Sequence, residues 1–276
     1  MKISENLTPA QSRLLEQTDA NAWAWMYQQF PADYQQQLGF GIENVGNIHL
    51  LYCQKIPFRH FNTPQNLGIA EAMTSQQLDE VLAVFDKLGI RNFYIHTTPF
   101  CEPADFLQQL TDKGMRYLSH WERIWRDDKP LAAHTTPPEN CTVEEVTTQT
   151  AQEWADFVDA TYRMTTKPWL LNLIDKEGFH AYVFRRNGKI VVTRTMIIRN
   201  QYAWSGMDAP VPGVMAPTFE EDFFVAQQMV QDGLSWGVKL FSTDIEKPYP
   251  SRDTPAYQYW GKLGFEIAYL RDNYGF

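Results

Sequence analysis

The sequence predicts an α+β fold (α/β mixed sheet) in two tandem domains, each a mainly antiparallel sheet flanked by helices. Three observations support this: short strands joined by turn signals, a helix–strand–helix–strand order that occurs twice, and a proline-rich segment near the middle. The chain has 276 residues, of which 44% are hydrophobic and 14% aromatic, so each of two compact domains can bury a core.

A segment without hydrophobic periodicity divides the chain. Between Asp127 and Asn140 it contains Pro130, Pro137 and Pro138, and it offers few apolar side chains to bury. We therefore predict an N-terminal domain over 1–128, a linker over 129–141 and a C-terminal domain over 142–276.

The C-terminal half opens with elements that are predicted from periodicity. They are a helix and three adjacent strands, over 153–162, 181–186, 190–198 and 202–207. Asn187-Gly188 separates the first two strands. This dipeptide is the strongest short hairpin signal, because both of its positions in the turn need a positive φ.

The remaining elements of this half are a proline-rich loop, a helix, a strand, a helix and a final strand, over 210–217, 219–236, 239–245, 254–263 and 265–271. Thr218 and Glu221 form a capping-box pattern, which marks the start of the first of these helices. Gly264 ends the second helix.

The N-terminal half repeats the end of this order. Its predicted elements are a helix, a strand, a helix and a strand, over 74–88, 92–97, 104–113 and 115–126. Thr74 and Gln77 form a second capping-box pattern. The glycines that end the helices recur about 150 residues later, which indicates a duplication. The alternative is two unrelated α/β segments whose helices both end in glycine, as many helices do.

The charge and hydropathy of the chain argue against several classes of partner. Its 24 basic and 33 acidic residues give a net charge of -9, so we expect neither nucleic acid nor an anionic membrane as the main partner. No apolar run approaches the roughly 18–20 residues of a membrane span. The first residues lack the apolar core of a signal peptide, so we expect a cytoplasmic protein.

Metal and disulfide chemistry has no support in the sequence. Cys53, Cys101 and Cys141 lie far apart, and no histidine pairs with another histidine or a cysteine at the spacing of metal ligands. The patterns GxSxG, GxxxxGKS/T and HExxH do not occur either.

A late motif and the order of the elements carry a family resemblance. Residues 251–265 form a short aromatic-containing helix that ends in Lys262-Leu263-Gly264-Phe265. This segment resembles the late motif of the GNAT superfamily of acyl-CoA-dependent N-acyltransferases. Three antiparallel strands, a loop, a helix, a strand, a helix and a last strand are also the order of that family. The whole chain is similar to tandem GNAT proteins with a degenerate N-terminal copy.

The resemblance implies acetyl-CoA or another acyl-CoA as co-substrate, bound between the third strand and the following helix. A helix N-terminus and free backbone N–H groups attract an anion such as a pyrophosphate. The positions of this sequence that the resemblance assigns to the cofactor are Ser205, Gly206, Met207, Val211, Gly213, Met215, Thr218 and Trp260.

The loop departs from the family pattern, which is Gln or Arg, two residues, Gly, one residue, and Gly or Ala. It contains one glycine and three prolines, which lack an N–H, and the following helix opens with Glu220-Glu221-Asp222. These carboxylates complement the helix dipole and would repel a phosphate. The alternative is therefore a capped core helix that binds no ligand. In the first half, residues 65–70 match the family pattern literally, although they can also be a strand end.

Acyl transfer to an amine needs a base, an oxyanion site and an acid for the leaving thiolate. In many GNAT proteins a tyrosine serves as the acid at the position of Trp260, and Tyr257 lies one turn earlier on the same helix face. We predict Tyr257 as the acid. Asp208 and Asp244 are candidate bases, as is Glu246, because ligands favour the carboxyl ends of strands.

The resemblance implies an N-acyltransferase that moves an acetyl or acyl group from acyl-CoA to a small amine. Asp208, Asp244 and Glu246 together would suit a cationic amine, whereas Arg194 or Arg252 could bind a carboxylate or a phosphate. The alternative function is a catalytically inactive ligand-binding or protein-interaction module that has lost CoA binding. A third is a GNAT-like enzyme with another donor, such as a carrier-protein thioester or an aminoacyl-tRNA.

Overall fold

The computed structural model describes residues 1–5, 7–56, 58–213, 219–246, 248 and 251–276. The helices in these residues are α1 (Pro9–Gln28), α2 (Ala32–Leu38), α3 (Ser75–Lys87), α4 (Phe106–Asp112), α5 (Ala151–Tyr162), α6 (Lys167–Leu173), α7 (Phe219–Ser235) and α8 (Pro255–Lys262). The strands are β1 (Phe40–Val45), β2 (Ile48–Cys53), β3 (Thr63–Gln65), β4 (Ile95–Thr97), β5 (Arg116–Asp127), β6 (Cys141–Glu145), β7 (Phe179–Arg186), β8 (Lys189–Arg199), β9 (Tyr202–Pro210), β10 (Leu240–Ile245) and β11 (Glu266–Gly275).

The chain forms two compact units that do not follow its two halves. Unit 1 comprises residues 1–3, 124–243 and 249–267. Unit 2 comprises residues 4–123, 244–248 and 268–276. These units are defined by contacts, whereas the predicted boundaries near 128 and 142 describe two duplicated halves of the sequence. The predicted domains therefore stay a prediction.

Unit 1 contains the hairpins that the sequence predicts. Its strands follow the order β10-β9-β8-β7-β6, in which β6 to β9 pair antiparallel and β10 pairs parallel with β9. Asn187 and Gly188 have φ of 50° and 76°, which confirms the predicted turn between β7 and β8. Helix α7 packs against β7 and β8, and α5 packs against β8 and β9. These two helices therefore cover the strands that lead to the candidate site.

Unit 2 contains two groups of strands. Strands β1, β2 and β3 form an antiparallel sheet, and β11 lies between β4 and β5. In the pairing of β4 with β11, His96 is opposite Asn273. Helix α3 buries Leu78, Val81 and Phe85 in the core of this unit. The last strand of the chain therefore lies between two strands that come from the N-terminal half.

The predicted linker contains no helix or strand from Lys129 to Asn140. Its Thr135 is fixed to α7, because the side chain of Gln227 accepts from the Thr135 N–H at 2.9 Å and donates to its carbonyl oxygen at 2.8 Å. In the part of the chain that the structure describes, no helix is both long and apolar enough to cross a bilayer.

Candidate functional site

Strands β9 and β10 separate after a short paired stretch. Their parallel register joins Tyr202, Ala203 and Trp204 to residues 240–242, and β9 continues beyond it to Pro210. Within the described residues, the β9 backbone over 205–210 therefore has no ladder partner on this side. We call residues 205–210 the β9 edge. It includes Ser205, Gly206 and Met207, which the resemblance assigns to the cofactor.

A β-bulge shapes the middle of the β9 edge. Thr195 is opposite Gly206 and Thr193 is opposite Ala209, so both Met207 and Asp208 face Arg194. Met207 has φ of 54°, an uncommon conformation for a residue with a side chain. Bulges bend a strand and are frequent beside active sites, where they interrupt the ladder and redirect groups. The bulge falls at the strand that the resemblance places beside the thioester.

Helix α5 holds the far end of the β9 edge. The Tyr162 hydroxyl donates to the carbonyl oxygen of Asp208, and the Thr161 hydroxyl donates to that of Pro210 at 2.8 Å. Both carbonyls lie at or beyond the bulge. These two side chains therefore fix the path of the backbone that would face a ligand.

Arg194 of β8 connects the β9 edge to two helices. Its Nη2 lies 2.8 Å from Asp208 and 2.9 Å from Asp222 of α7, and its Nη1 lies 3.5 Å from the Ser205 hydroxyl. Its guanidinium carbon lies 4.8 Å from the ring centre of Trp260 on α8, within range of a cation–π contact. We call Arg194, Asp208 and Asp222 the Arg194 bridge.

The members of the Arg194 bridge differ in exposure. The side chain of Arg194 is 4% exposed, that of Asp222 is 19% exposed and that of Asp208 is 35% exposed. Burial alone would lower the pKa of Arg194, but the two carboxylates outweigh burial and raise it, so the guanidinium stays charged. Asp208 is therefore the most exposed carboxylate of the Arg194 bridge.

The first turn of α7 is less negative than the sequence suggests. Glu221 is buried and pairs with Arg186 at 2.8 Å, and Asp222 belongs to the Arg194 bridge. Glu220 is exposed. Two of the three carboxylates that we expected to repel a phosphate are thus compensated by arginines, which weakens that argument against an anion.

The remaining candidates of the predicted cofactor site have different settings. Val211 and Gly213 are exposed, and Gly213 has φ of 86°. Met215 and Thr218 lie outside the described residues. The predicted capping box of α7 includes Thr218, so it lies outside them as well. Trp260 is 7% exposed and packs edge-on against Phe265.

Tyr257, the predicted acid, is fully buried on α8. It shares the buried face of the helix with Trp260, as the predicted spacing requires. The role of Tyr257 as the acid stays a prediction.

Asp244, a predicted base, belongs to a cluster of five buried charges in unit 2. Both Arg123 and Arg271 contact each of the carboxylates of Glu16, Asp19 and Asp244. We call these five residues the buried ion cluster. Since Asp208 lies in unit 1 and Asp244 in unit 2, their predicted joint role stays a prediction.

The carboxylates of the buried ion cluster are not equivalent. Asp19 lies 2.7 and 2.8 Å from the two arginines, whereas Asp244 lies 3.2 and 3.4 Å from them. Burial raises the pKa of Asp244 to about 7, because its longer ion pairs do not compensate. At Asp19 burial also opposes the charge, but Arg271 and Arg123 prevail and its pKa is lowered.

A second polar group of unit 2 had no signal in the sequence. His96 Nδ1 lies 2.7 Å from the amide oxygen of Asn273, whose nitrogen donates to the Ser119 hydroxyl. This order assigns the proton of neutral His96 to Nδ1. Burial, followed by Arg271, lowers the pKa of His96 well below its usual range. The pairing could not be foreseen, because Asn273 is 177 positions away.

The literal loop match at residues 65–70 has a structural explanation. Gly68 has φ of 68°, and its carbonyl oxygen accepts from the Glu102 N–H at 2.8 Å. A Cβ at Gly68 would lie 2.7 Å from the Glu102 carbonyl oxygen. This glycine therefore permits a close approach of two backbones. No cluster of three or more potential metal ligands occurs within the described ranges.

Solved structures of other proteins resemble the fold of this chain. A GCN5-related N-acetyltransferase from Kribbella flavida superposes with a TM-score of 0.63 at 13% identity, over 95% of this chain and 94% of that one. A tandem GNAT protein from the clavulanic acid biosynthesis pathway, solved without acetyl-CoA, gives 0.56 at 14% identity, over 99% and 95%. The chain has the GNAT fold.

The GNAT fold is shared beyond these two proteins. A GCN5-related N-acetyltransferase from Sphaerobacter thermophilus gives a TM-score of 0.55 at 13% identity, over 72% of this chain and 65% of that one. No protein-family model matches the sequence, and no curated protein matches it. Identities this low show a shared GNAT fold and nothing more. The chemistry of the site must be argued from its own residues.

Proposed function

We propose that unit 1 is an N-acyltransferase that moves an acetyl or other acyl group from acyl-CoA to a small amine. The observation that carries this proposal is the β9 edge, where ladder pairing ends at Trp204 and a bulge follows at Met207. An unpaired strand edge offers backbone N–H and C=O groups to the amides of a pantetheine arm. The GNAT fold supports the same reaction class by analogy.

The proposed reaction assigns roles to Asp208, Tyr257 and the β9 edge. The amine nitrogen attacks the thioester carbonyl carbon, a C–N bond forms, and the C–S bond then breaks. Asp208 accepts the proton that the amine nitrogen loses, and Tyr257 gives a proton to the departing CoA thiolate. A backbone N–H of the β9 edge stabilises the oxyanion of the tetrahedral intermediate. Asp208 suits its role because its carboxylate is the exposed member of the Arg194 bridge.

Binding and turnover test the proposal separately. Isothermal titration with acetyl-CoA and with CoA should give heat at micromolar to millimolar ligand, and release of free thiol should follow when an amine panel is added. Asp208→Asn should retain acetyl-CoA binding and lower turnover by about 10²–10⁴-fold. Asp156→Asn removes an exposed carboxylate that pairs with Lys167, so it is the matched control and should keep full turnover. No heat with either ligand at millimolar concentration would refute the proposal.

A second candidate function is a GNAT-fold binding module without turnover. It is favoured by the Arg194 bridge, which ties the β9 edge to the start of α7, and by the three prolines of the loop. Thiol release with any amine of the panel would contradict this candidate, whereas a folded protein with neither CoA binding nor turnover would support it.

A further inference from the structure

Arg194 stands at the point where β9 loses its ladder partner. The last paired residue of β9 is Trp204, and Arg194 reaches Ser205, the first residue of the β9 edge. Through the Arg194 bridge and Trp260 it also contacts the bulge, α7 and α8. A nearly buried, permanently charged guanidinium thus borders the proposed donor site.

The donors of this guanidinium are unevenly used. Asp222 accepts from Nε at 3.2 Å and from Nη2 at 2.9 and 3.0 Å, which is a bidentate grip. Asp208 contacts Nη2 at 2.8 Å. In the described part of the chain, Nη1 is left with the Ser205 hydroxyl at 3.5 Å, the long limit of a hydrogen bond. Nη1 therefore makes the weakest of these contacts and can donate to a stronger acceptor.

The two carboxylates also differ in how readily they can leave. Asp222 is anchored on a helix and is 19% exposed, so losing Arg194 would strand a buried charge. Asp208 is 35% exposed and sits in the bulge, next to the left-handed Met207. Because its carboxylate is already partly hydrated, its pairing with Arg194 contributes less free energy, and it can turn to water more easily than Asp222 can.

We propose that Arg194 exchanges Asp208 for an oxyanion of the acyl donor while it keeps Asp222. The oxyanion is either a CoA phosphate oxygen or a carboxylate on the acyl group, which offer a guanidinium the same lone-pair geometry as Asp208. This inference rests on the proposed function, because it places the donor at the β9 edge. Donor binding then frees Asp208 to hold the amine and to take its proton.

The exchange couples the two substrates. While Asp208 is paired with Arg194, a cationic amine must compete with the guanidinium for its carboxylate. An oxyanion on Arg194 removes the competition, so the donor and a cationic amine each strengthen the binding of the other. Arg194 would then supply a positive charge to the donor that the proline-containing loop, in which Pro210 and Pro212 lack N–H groups, does not supply.

Titrations of the full chain test the exchange. The test donor is acetyl-CoA for a CoA phosphate on Arg194 and succinyl-CoA for an acyl carboxylate. Arg194→Gln should weaken binding of that donor by about 10- to 100-fold, the range expected for a lost charge-assisted hydrogen bond. Asp208→Asn should instead tighten it by about tenfold, because the competing carboxylate is gone. If Arg194 had a purely structural role, the two variants would not change donor binding in opposite directions. Arg194→Gln with Asp222→Asn removes both buried charges and keeps the test valid if the single variant fails to fold.

Three probes distinguish the source of the oxyanion. If Arg194 binds a phosphate, inorganic pyrophosphate competes with acetyl-CoA in the wild type and not in Arg194→Gln, and S-acetylpantetheine binds both proteins equally. If Arg194 binds an acyl carboxylate, succinyl-CoA binds more tightly than acetyl-CoA, and the difference disappears in Arg194→Gln.

A matched control and two negative outcomes complete the design. Arg185→Gln breaks a comparable bridge of one arginine to Glu144 and Glu153 in the same unit, and it should leave donor binding unchanged. If the wild type binds no donor, the proposed function fails. If the wild type binds donors and folded Arg194→Gln binds them equally well, only the exchange is refuted.

Discussion

Asp244 shows at the scale of one residue how burial decides chemistry. Three carboxylates share two arginines in the buried ion cluster, so one negative charge is in excess when all are ionised. Burial places the excess on Asp244, whose ion pairs of 3.2 and 3.4 Å are longer than those of Asp19, and its pKa rises to about 7. Near neutral pH the protonated form makes the cluster neutral overall, the state that burial favours.

We predict that Asp244→Asn changes how stability depends on pH. The folded pKa lies above the unfolded value of 3.8, so the contribution of Asp244 is fully present below about pH 4 and is lost as pH rises toward about 7. The wild-type free energy of unfolding minus that of the variant should fall across this window, by at most a few kcal/mol. Urea unfolding at a series of pH values measures it, and a constant difference would contradict the raised pKa.

His96→Gln should change the pH dependence of the free energy of unfolding in the opposite direction, over an overlapping pH range. The folded pKa of His96 lies below its model-peptide value of 6.5, so its contribution is present above pH 6.5 and is lost as pH falls below it. The wild-type minus variant difference should therefore increase with pH where that of Asp244→Asn decreases. Parallel slopes in the two variants would show that one of the two assignments is wrong.

A third prediction concerns Gly68 and the loop match at residues 65–70. Gly68→Ala should lower the free energy of unfolding by more than Gly89→Ala, since both have positive φ but only Gly68 would bring a Cβ onto Glu102. We expect about 1–2 kcal/mol for Gly89→Ala and additional loss for Gly68→Ala. Denaturant titration compares them. Normal stability with lost acetyl-CoA binding in Gly68→Ala would instead assign this loop to the ligand.

At the scale of elements, local signals were reliable where the partners are neighbours in sequence. The predicted hairpin, the helix at 219–236 and the capping box of Thr74 and Gln77 are confirmed. The sequence reading missed α1, which also begins with a capping box, and it missed α2 and α6. It ended the third strand at Met207, whereas β9 continues to Pro210 through the bulge.

The cap of α3 leads to a prediction at this scale. In the box, the Thr74 hydroxyl accepts from the Gln77 N–H at 3.2 Å, and the Gln77 side chain accepts from the Thr74 N–H at 2.9 Å. Thr74→Ala should lower the free energy of unfolding by about 1 kcal/mol. Ser75→Ala, one residue into the helix and exposed, is the matched control and should be nearly neutral. Equal effects in thermal or urea unfolding would show that the cap contributes nothing specific.

At the scale of the whole molecule, unit 2 depends on the end of the chain. Residues 268–276 supply Arg271 to the buried ion cluster and Asn273 to His96. Without them Asp19 and Glu16 would share Arg123, and β4 and β5 would lose the strand between them.

We therefore predict that residues 1–128 do not fold when expressed alone, although the sequence presents them as a domain. Unpaired buried carboxylates and two open strand edges would destabilise the fragment. Circular dichroism during urea titration should show no cooperative transition. Adding residues 268–276 through a flexible linker should restore one, and a cooperative transition in 1–128 alone would contradict the prediction.

The sequence by itself determined the order from β7 to β11, the hairpin and the GNAT resemblance, because periodicity, turn residues and short motifs act between near neighbours. Only the tertiary structure decided which charges meet. Arg194 joins Asp208 and Asp222 across 14 to 28 positions, and Arg123 joins Asp19 across 104. Such pairs leave no periodic trace in a sequence, since their energy depends on burial and on distances that exist only after the chain has folded.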